Sequence, residues 1–387
     1  MTAPDQDELD ALRDVVRRLL AKEWGPDQRN ALLAGDDGPS RALRERLGRE
    51  LGLYGLAVPA EYGGAGCGFA ELAIVLEELG RTLADPLYLS TAVIGVTALR
   101  LSANEELRRA WLPRIADGSV TVALACTETT AAFEPETPRT RAVPAGGEWR
   151  VTGEKQIVAG GAEAGLLLVS AATPTGELVL LAVEPGSEHV TVVPTPALDL
   201  TRPLATVTMT QAPAQVVAAG REANDLLSVL LDHAAAGLAC EQVGGAAHAL
   251  ETTTAWVRER EQFGVPIGGF QAVQFACVDM LLDVEAARSA AAYAVAALDA
   301  VAADDAADDA GDDDAGDAAV ACAVAKAVCS ESFVRVTGQM IQLHGGIAYT
   351  WEHEAHLYFK RARSAAELFG NADHHREQVL VRMGVRP

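Results

Sequence analysis

Two well-separated clusters carry residue types suited to holding a phosphorylated cofactor. The first is Arg258-Glu259-Arg260-Glu261-Gln262-Phe263-Gly264-Val265-Pro266-Ile267, followed by Phe270-Gln271; the second is Gln342-Leu343-His344-Gly345-Gly346. A planar guanidinium with a nearby amide can fork onto a pyrophosphate, and paired glycines let a backbone approach a cofactor with no side chain between.

Composition bounds what such clusters can serve. With 387 residues, 49% of them hydrophobic, the chain buries a large core and divides into two or three domains. A formal charge of −23 argues against a nucleic-acid partner and against an anionic membrane surface, since both need a basic face. Any anionic ligand must therefore meet a local arginine cluster. Only Lys22, Lys155, Lys326 and Lys360 are lysines among the 31 basic residues, so arginine supplies nearly all the bidentate anion recognition. The acidic start Met1-Thr2-Ala3-Pro4-Asp5 has no basic-then-apolar layout, and no uninterrupted apolar run reaches bilayer length, so the expectation is a cytoplasmic protein without membrane insertion. Cys67, Cys126, Cys240, Cys277, Cys322 and Cys329 form no CxxC pair and read as reduced, small core residues.

The elements that position the clusters follow from periodicity. Leu9, Leu12, Val16, Leu19 and Leu20 mark one helix face, residues 69–80 give another helix, and helical periodicity continues to about Ile115. Near Ser119 the texture changes. Val120, Val122, Leu124, Trp149 and Val151 start short β-type runs, and residues 166–170, 178–183 and 190–193 read as strands bounded by turn residues. Long Ala- and Leu-rich helical patterns return from Asn224. The expected division is an N-terminal α-helical domain over residues 1–118, a middle β domain over 119–220 and a C-terminal α-helical bundle over 221–387. An acidic Ala/Asp-rich insertion at 302–317 interrupts the last domain and reads as a solvated loop or frayed helix ends. Without βαβ alternation, this order argues against a parallel nucleotide-binding sheet.

Two further patterns suggest other chemistry and fail on spacing. His353 and His356 in His353-Glu354-Ala355-His356 fall one residue short of the HExxH zinc spacing, so no metal is expected. Gly63-Gly64-Ala65-Gly66-Cys67-Gly68 follows no clear strand and lacks a GK[ST] ending, so it reads as a flexible turn before the next helix. His374 and His375 are adjacent, diverge on a helix and read as structural or surface residues.

The α-β-α order, the segment Gly55-Leu56-Ala57-Val58-Pro59-Ala60-Glu61-Tyr62-Gly63-Gly64 and the two cofactor clusters together resemble the acyl-CoA dehydrogenase family over nearly the whole chain. The resemblance implies an α+β fold with a β-barrel or sandwich between two helical domains. It implies FAD shared across a subunit boundary, with Arg260, Gln262, Phe263, Gln271, Gln342, Gly345 and Gly346 reaching a neighbour's cofactor, and with Thr127 of Thr127-Glu128 lining the flavin. It also implies an acyl-CoA or other acyl thioester as substrate, a homo- or hetero-oligomer with a related dehydrogenase chain, and an electron-transfer flavoprotein as acceptor. The implied chemistry removes an α proton to a carboxylate and a β hydride to the flavin.

The chain departs from the family pattern at three places. Where many members carry the base as Glu before Gly, this chain reads Glu367-Leu368-Phe369-Gly370. Some branches place the base on an earlier helix, and the candidate there is Glu241 in Leu238-Ala239-Cys240-Glu241-Gln242-Val243-Gly244-Gly245, set against the reading of a packing-linked helix glutamate. After Gly153-Glu154-Lys155 the aromatic and hydroxyl common in the family are replaced by Gln156-Ile157-Val158-Ala159, and residues 129–138 lack the usual Gly-Ser-Asp continuation. These losses fall on residues that embrace the flavin ring, while residues that grip phosphates are kept. The alternative to an autonomous enzyme is therefore a non-catalytic or FAD-sharing partner subunit, as in the bacterial steroid and side-chain branch that residues 349–358 resemble.

Overall fold

The computed structural model describes residues 5–129, 133–146, 148–306 and 312–385. The order is helical, then β, then helical, as the sequence led us to expect. The first part holds α1 (Gln6–Glu23), α2 (Pro26–Leu33), α3 (Gly38–Glu45), α4 (Phe69–Thr82), α5 (Val96–Leu101) and α6 (Glu105–Ala116), with π-helical turns at Arg46–Glu50 and Leu89–Gly95. The middle carries β1 (Val122–Ala125), β2 (Arg141–Ala145), β3 (Glu148–Ala159), β4 (Leu166–Ala172), β5 (Leu178–Val183), β6 (Val190–Thr195) and β7 (Leu204–Ala219). The last part runs through α7 (Arg221–Glu259), the two-residue strands β8 (Glu261–Gln262) and β9 (Val265–Pro266), α8 (Gln271–Ala306), α9 (Asp312–His344), α10 (Ala355–Glu367) and α11 (Ala372–Arg382). The centre of the acidic insertion, residues 307–311, lies outside the described residues.

Contacts group the chain into two compact units. One contains Met1–Arg29, Phe69–Ala84 and Ala235–Pro387; the other contains Asn30–Gly68 and Asp85–Ala234. The second unit is built on a closed β barrel. Strands pair in the ring β4-β2-β3-β7-β5 and back to β4, with β1 added parallel to β4 and β6 antiparallel to β7. In β4 and β5 every residue is buried, which is why both appear as continuous apolar runs; in β7, buried Ala205, Val207 and Met209 alternate with residues that are not. Strand β3 bulges between Lys155 and Val158, where Ile157 takes φ 54, a left-handed angle that is unusual for a β-branched side chain. The Gly63 to Gly68 segment belongs to this unit and is held rather than loose. Amides of Ala65, Gly66 and Cys67 donate to the carbonyls of Gly55, Val58 and Leu56, and a Cβ on Gly64 would run into Val58.

In the other unit, α1 buries Val16 and Leu20, and its Arg13 and Arg17 donate to the buried Glu78 of α4. Helices α4 and α7 cross through glycine. A Cβ on Gly80 would overlap the Glu241 carbonyl, and one on Gly244 would overlap the Glu77 carbonyl. Such mutual contact lets two backbones approach more closely than side chains permit. Arg221–Glu259 and Gln271–Ala303 are both long and apolar enough to cross a bilayer by composition, although no uninterrupted apolar run does so. Alanine raises their mean hydropathy between scattered charges. In the first, 72% of the apolar window is buried inside the protein, and in the second 22%.

Candidate cofactor site at the ends of α7 and α9

Helix α7 ends where β8 and β9 form a miniature hairpin. Gln262 pairs with Val265, leaving Phe263 (φ 56) and Gly264 (φ 79) as a two-residue loop with both angles positive, the type I′ pattern. Phenylalanine at such an angle is strained, and Phe263 is 93% exposed, edge-on to Phe270. The Ile267 amide donates to the Arg260 carbonyl, fixing the chain as it leaves the helix. The Arg260 guanidinium stands exposed, 5.8 Å over the Trp256 ring, and among the described residues it has no carboxylate or hydrogen-bond acceptor.

Helix α9 ends at the second cluster. Gly345, at φ 66, stops the helix in the left-handed conformation that glycine permits cheaply. Cβ atoms built on Gly345 and Gly346 would meet nothing within 4 Å, so the space beside the glycine pair is open. His344 is buried, donates from Nδ1 to the Met340 carbonyl and stacks on Trp256 at 5.1 Å. That stack joins the two clusters. Burial holds His344 and His353, whose rings lie 4.4 Å apart, below the usual imidazole range. Gln342 and Gln271 are exposed, and among the described residues their side chains make no hydrogen bond, whereas the Gln262 side-chain amide donates to the Glu261 carbonyl. Uncommitted donors and an open glycine pair fit a pyrophosphate-bearing group. Trp256 escaped the sequence reading because a lone tryptophan one turn before an arginine looks like ordinary packing; its spacing of four from Arg260 was the available signal.

Glu241 is brought to neither cluster. It lies in the middle of α7, is 5% exposed, and accepts a hydrogen bond from Arg361 of α10 at 2.5 Å. The neighbouring glycines serve packing: Gly244 meets α4, and a Cβ on Gly245 would press into the Phe333 ring. Phe369 is buried in the α10–α11 turn at φ 58.

In the β barrel unit, the half-buried Thr127 uses its carbonyl to accept the Gln156 amide. Glu128 is committed to internal structure. It accepts from Lys155 Nζ at 2.6 Å and from the Arg139 and Thr140 amides, while Lys155, fully buried, also donates to Ser170. Burial opposes ionisation of Glu128, but the Lys155 ammonium and the Thr140 amide outweigh it and hold the carboxyl at about 2.

The His353-Glu354-Ala355-His356 segment is absorbed by structure. The Ala355 amide at the start of α10 donates to His353 Nδ1, Glu354 pairs with Arg29 and His248, and His356 packs edge-on to Trp351. Among the described residues no group of three or more His, Cys, Asp or Glu is placed to hold a metal. His375 is buried and bonded to the Phe369 carbonyl. None of the six cysteines is in a disulfide, and burial pushes the Cys126 thiol up to about 11 and the Cys329 thiol to about 12.

Comparison with known proteins adds independent findings. Residues 6–119 match the family model described as "Acyl-CoA dehydrogenase, N-terminal domain", and residues 225–384 match "Acyl-CoA dehydrogenase, C-terminal domain". The sequence is 31% identical to acyl-CoA dehydrogenase IpdE2 of Mycobacterium tuberculosis, over 95% of this chain and 94% of that protein. A chain of a Tcur3481-Tcur3483 steroid ACAD variant superposes with TM-score 0.86 at 29% identity, covering 98% of each chain. One from the ChsE4-ChsE5 complex of Mycobacterium tuberculosis superposes with TM-score 0.84 at 25% identity, covering all of both.

Proposed function

This chain belongs to the acyl-CoA dehydrogenase family, and from that premise we propose how its residues serve the reaction. It is an FAD-dependent acyl-CoA dehydrogenase: an acyl thioester loses a proton from its α carbon and a hydride from its β carbon. Bound FAD supplies the two-electron acceptor. The protein's own part is to bind, orient and keep water away.

The meeting of Arg260 with Gln342, Gly345 and Gly346 through the Trp256–His344 stack carries the cofactor assignment. In this reading Arg260 forks onto phosphate oxygens, Gln342 and Gln271 donate amide hydrogens, Gln262 and Phe263 border the same group, and the glycine pair lets the cofactor approach the backbone. Thr127 borders a flavin ring in the same reading. Because the grip faces solvent and α8 exposes Phe275, Val278, Leu282 and Tyr293, the cofactor held is that of an adjoining subunit in an oligomer. An electron-transfer flavoprotein takes the electrons onward. A cytoplasmic location belongs to the same reading, supported by the burial of most of the apolar window of α7 inside the protein.

Two observations support a second reading. Glu241 is already engaged by Arg361, and Phe369 stands in the turn where the family often carries its base. Both facts support a chain that completes a related subunit's site and leaves proton abstraction to that subunit. Flavin absorbance per chain separates the readings, measured on the purified protein alone and after co-expression with a related dehydrogenase chain. Near-full flavin and acyl-CoA-dependent dye reduction from the chain alone would support the autonomous enzyme. Flavin only in the mixed complex would support the partner role, and no flavin in any assembly would overturn both.

A further inference from the structure

The turn between α10 and α11 combines strain with an unusual buried cation. Phe369 (φ 58) and Gly370 (φ 92) are consecutive left-handed residues, and a buried phenylalanine in that conformation persists only where its surroundings over-determine it. Lys326 of α9 provides part of that determination. Its side chain is fully buried, and its ammonium donates to the Ala366 carbonyl at 3.1 Å, the Gly370 carbonyl at 3.0 Å and Ser330 Oγ at 3.0 Å. Ala366 lies in the last turn of α10, where unsatisfied carbonyls carry partial negative charge, and such a helix end favours a cation. From the other side His375 Nε2 donates to the Phe369 carbonyl at 3.0 Å. The residue is held at both flanks.

The hold extends to α7. Ser330 also accepts from the amide of Gln242 at 3.1 Å, and Gln242 adjoins Glu241, whose carboxylate meets Arg361 of α10. Thus α7, α9 and α10 share one buried polar network that ends on the Phe369 turn. Burying an ammonium is costly, and neutralising a distant charge would not need a lysine aimed at two turn carbonyls.

We propose that Lys326 is a positioning residue: it clamps the Leu368-Phe369-Gly370 turn in its left-handed conformation and thereby fixes Phe369 at the edge of the acyl site. The last step rests on the functional reading above, in which this turn stands where the family often carries its base; the clamp itself rests on the geometry alone. Glycine adopts a left-handed angle without help, so the need for Lys326 should vanish when residue 369 is glycine.

A double-mutant cycle between Lys326→Met and Phe369→Gly tests the clamp on the full chain in its flavin-loaded assembly. Lys326→Met is expected to speed amide exchange of residues 368–370 at least about tenfold and to lower the denaturant midpoint, whereas in the Phe369→Gly background it should change either much less. If Lys326→Met does not fold, recovery of folding in the double variant supports the clamp, and failure of both overturns it. Additive effects would also overturn it. In the same assembly, KM for an acyl-CoA should rise at least about tenfold in Lys326→Met at unchanged flavin per chain. Coupling with unmoved KM would remove the role in the reaction. A wild-type assembly without flavin or turnover would instead sink the functional reading, while the exchange cycle still decides the clamp.

Discussion

Glu128 and Lys155 face each other inside the β barrel unit, bonded to each other and to further groups of the chain; Arg260 stands exposed at the end of α7, its guanidinium over the Trp256 ring. Both regions carry charged residues in segments that the sequence reading singled out. Their surroundings differ in what is left over. Glu128 already accepts from an ammonium and two amides, so its remaining capacity for a ligand is small. Arg260, Gln342 and the open glycines keep their donors and space uncommitted, which is the condition for a binding site. Glu241 falls with the first group, since a buried arginine occupies its carboxylate.

The largest test of that contrast is Lys155→Met. Leaving Glu128 without its ammonium should cost about 3–5 kcal/mol in urea denaturation followed by circular dichroism. A cost below about 1 kcal/mol would mean the pair is not the internal support described here. Next, Glu241→Gln strands the Arg361 charge and should cost on the order of 3 kcal/mol, with turnover per folded, flavin-loaded assembly staying within about twofold. Turnover lost at full flavin and full stability would instead identify Glu241 as the proton acceptor.

Arg260→Ala should behave in the opposite way. Losing a charge-assisted contact worth about 1.5–3 kcal/mol weakens flavin retention roughly 10- to 150-fold, while the denaturation midpoint of the flavin-free protein stays put. Unchanged flavin content would break the comparison at its solvent-facing end. The gentlest probe is acid. The folded pKa of Glu128, about 2, lies below the ordinary 4.5, so its ionised form stabilises the fold above the ordinary value and that contribution is lost as pH falls towards 2. The stability gap between wild type and Glu128→Gln should narrow across that window.

Much of the fold was legible because burial and period coincide. The apolar runs at 166–170, 178–183 and 190–193 fall within β4, β5 and β6, and the face marked by Val16 and Leu20 is the buried face of α1. The sequence reading left β2 unnamed and did not single out β7. In β2 only Ala142 is buried and Pro144 interrupts the run; β7 is broken by Gln211 and Pro213 and rich in alanine, which has little strand preference. These strands exist because neighbours in the barrel pair with them, a long-range cause that local preference does not record.

The site divided along the same line. Residue types and spacing by themselves made Arg260, Gln342, Gly345 and Gly346 candidates for a phosphorylated cofactor, because a planar cation, an amide and a side-chain-free backbone carry that capacity wherever they stand. Only tertiary structure decided which capacities remain available. Stacking of Trp256 on His344 brought two remote motifs together, Arg361 took up Glu241, Lys155 took up Glu128, and Lys326 reached the Phe369 turn. A side chain's chemistry is written at one position, whereas its freedom to use that chemistry depends on partners delivered by packing from elsewhere in the chain.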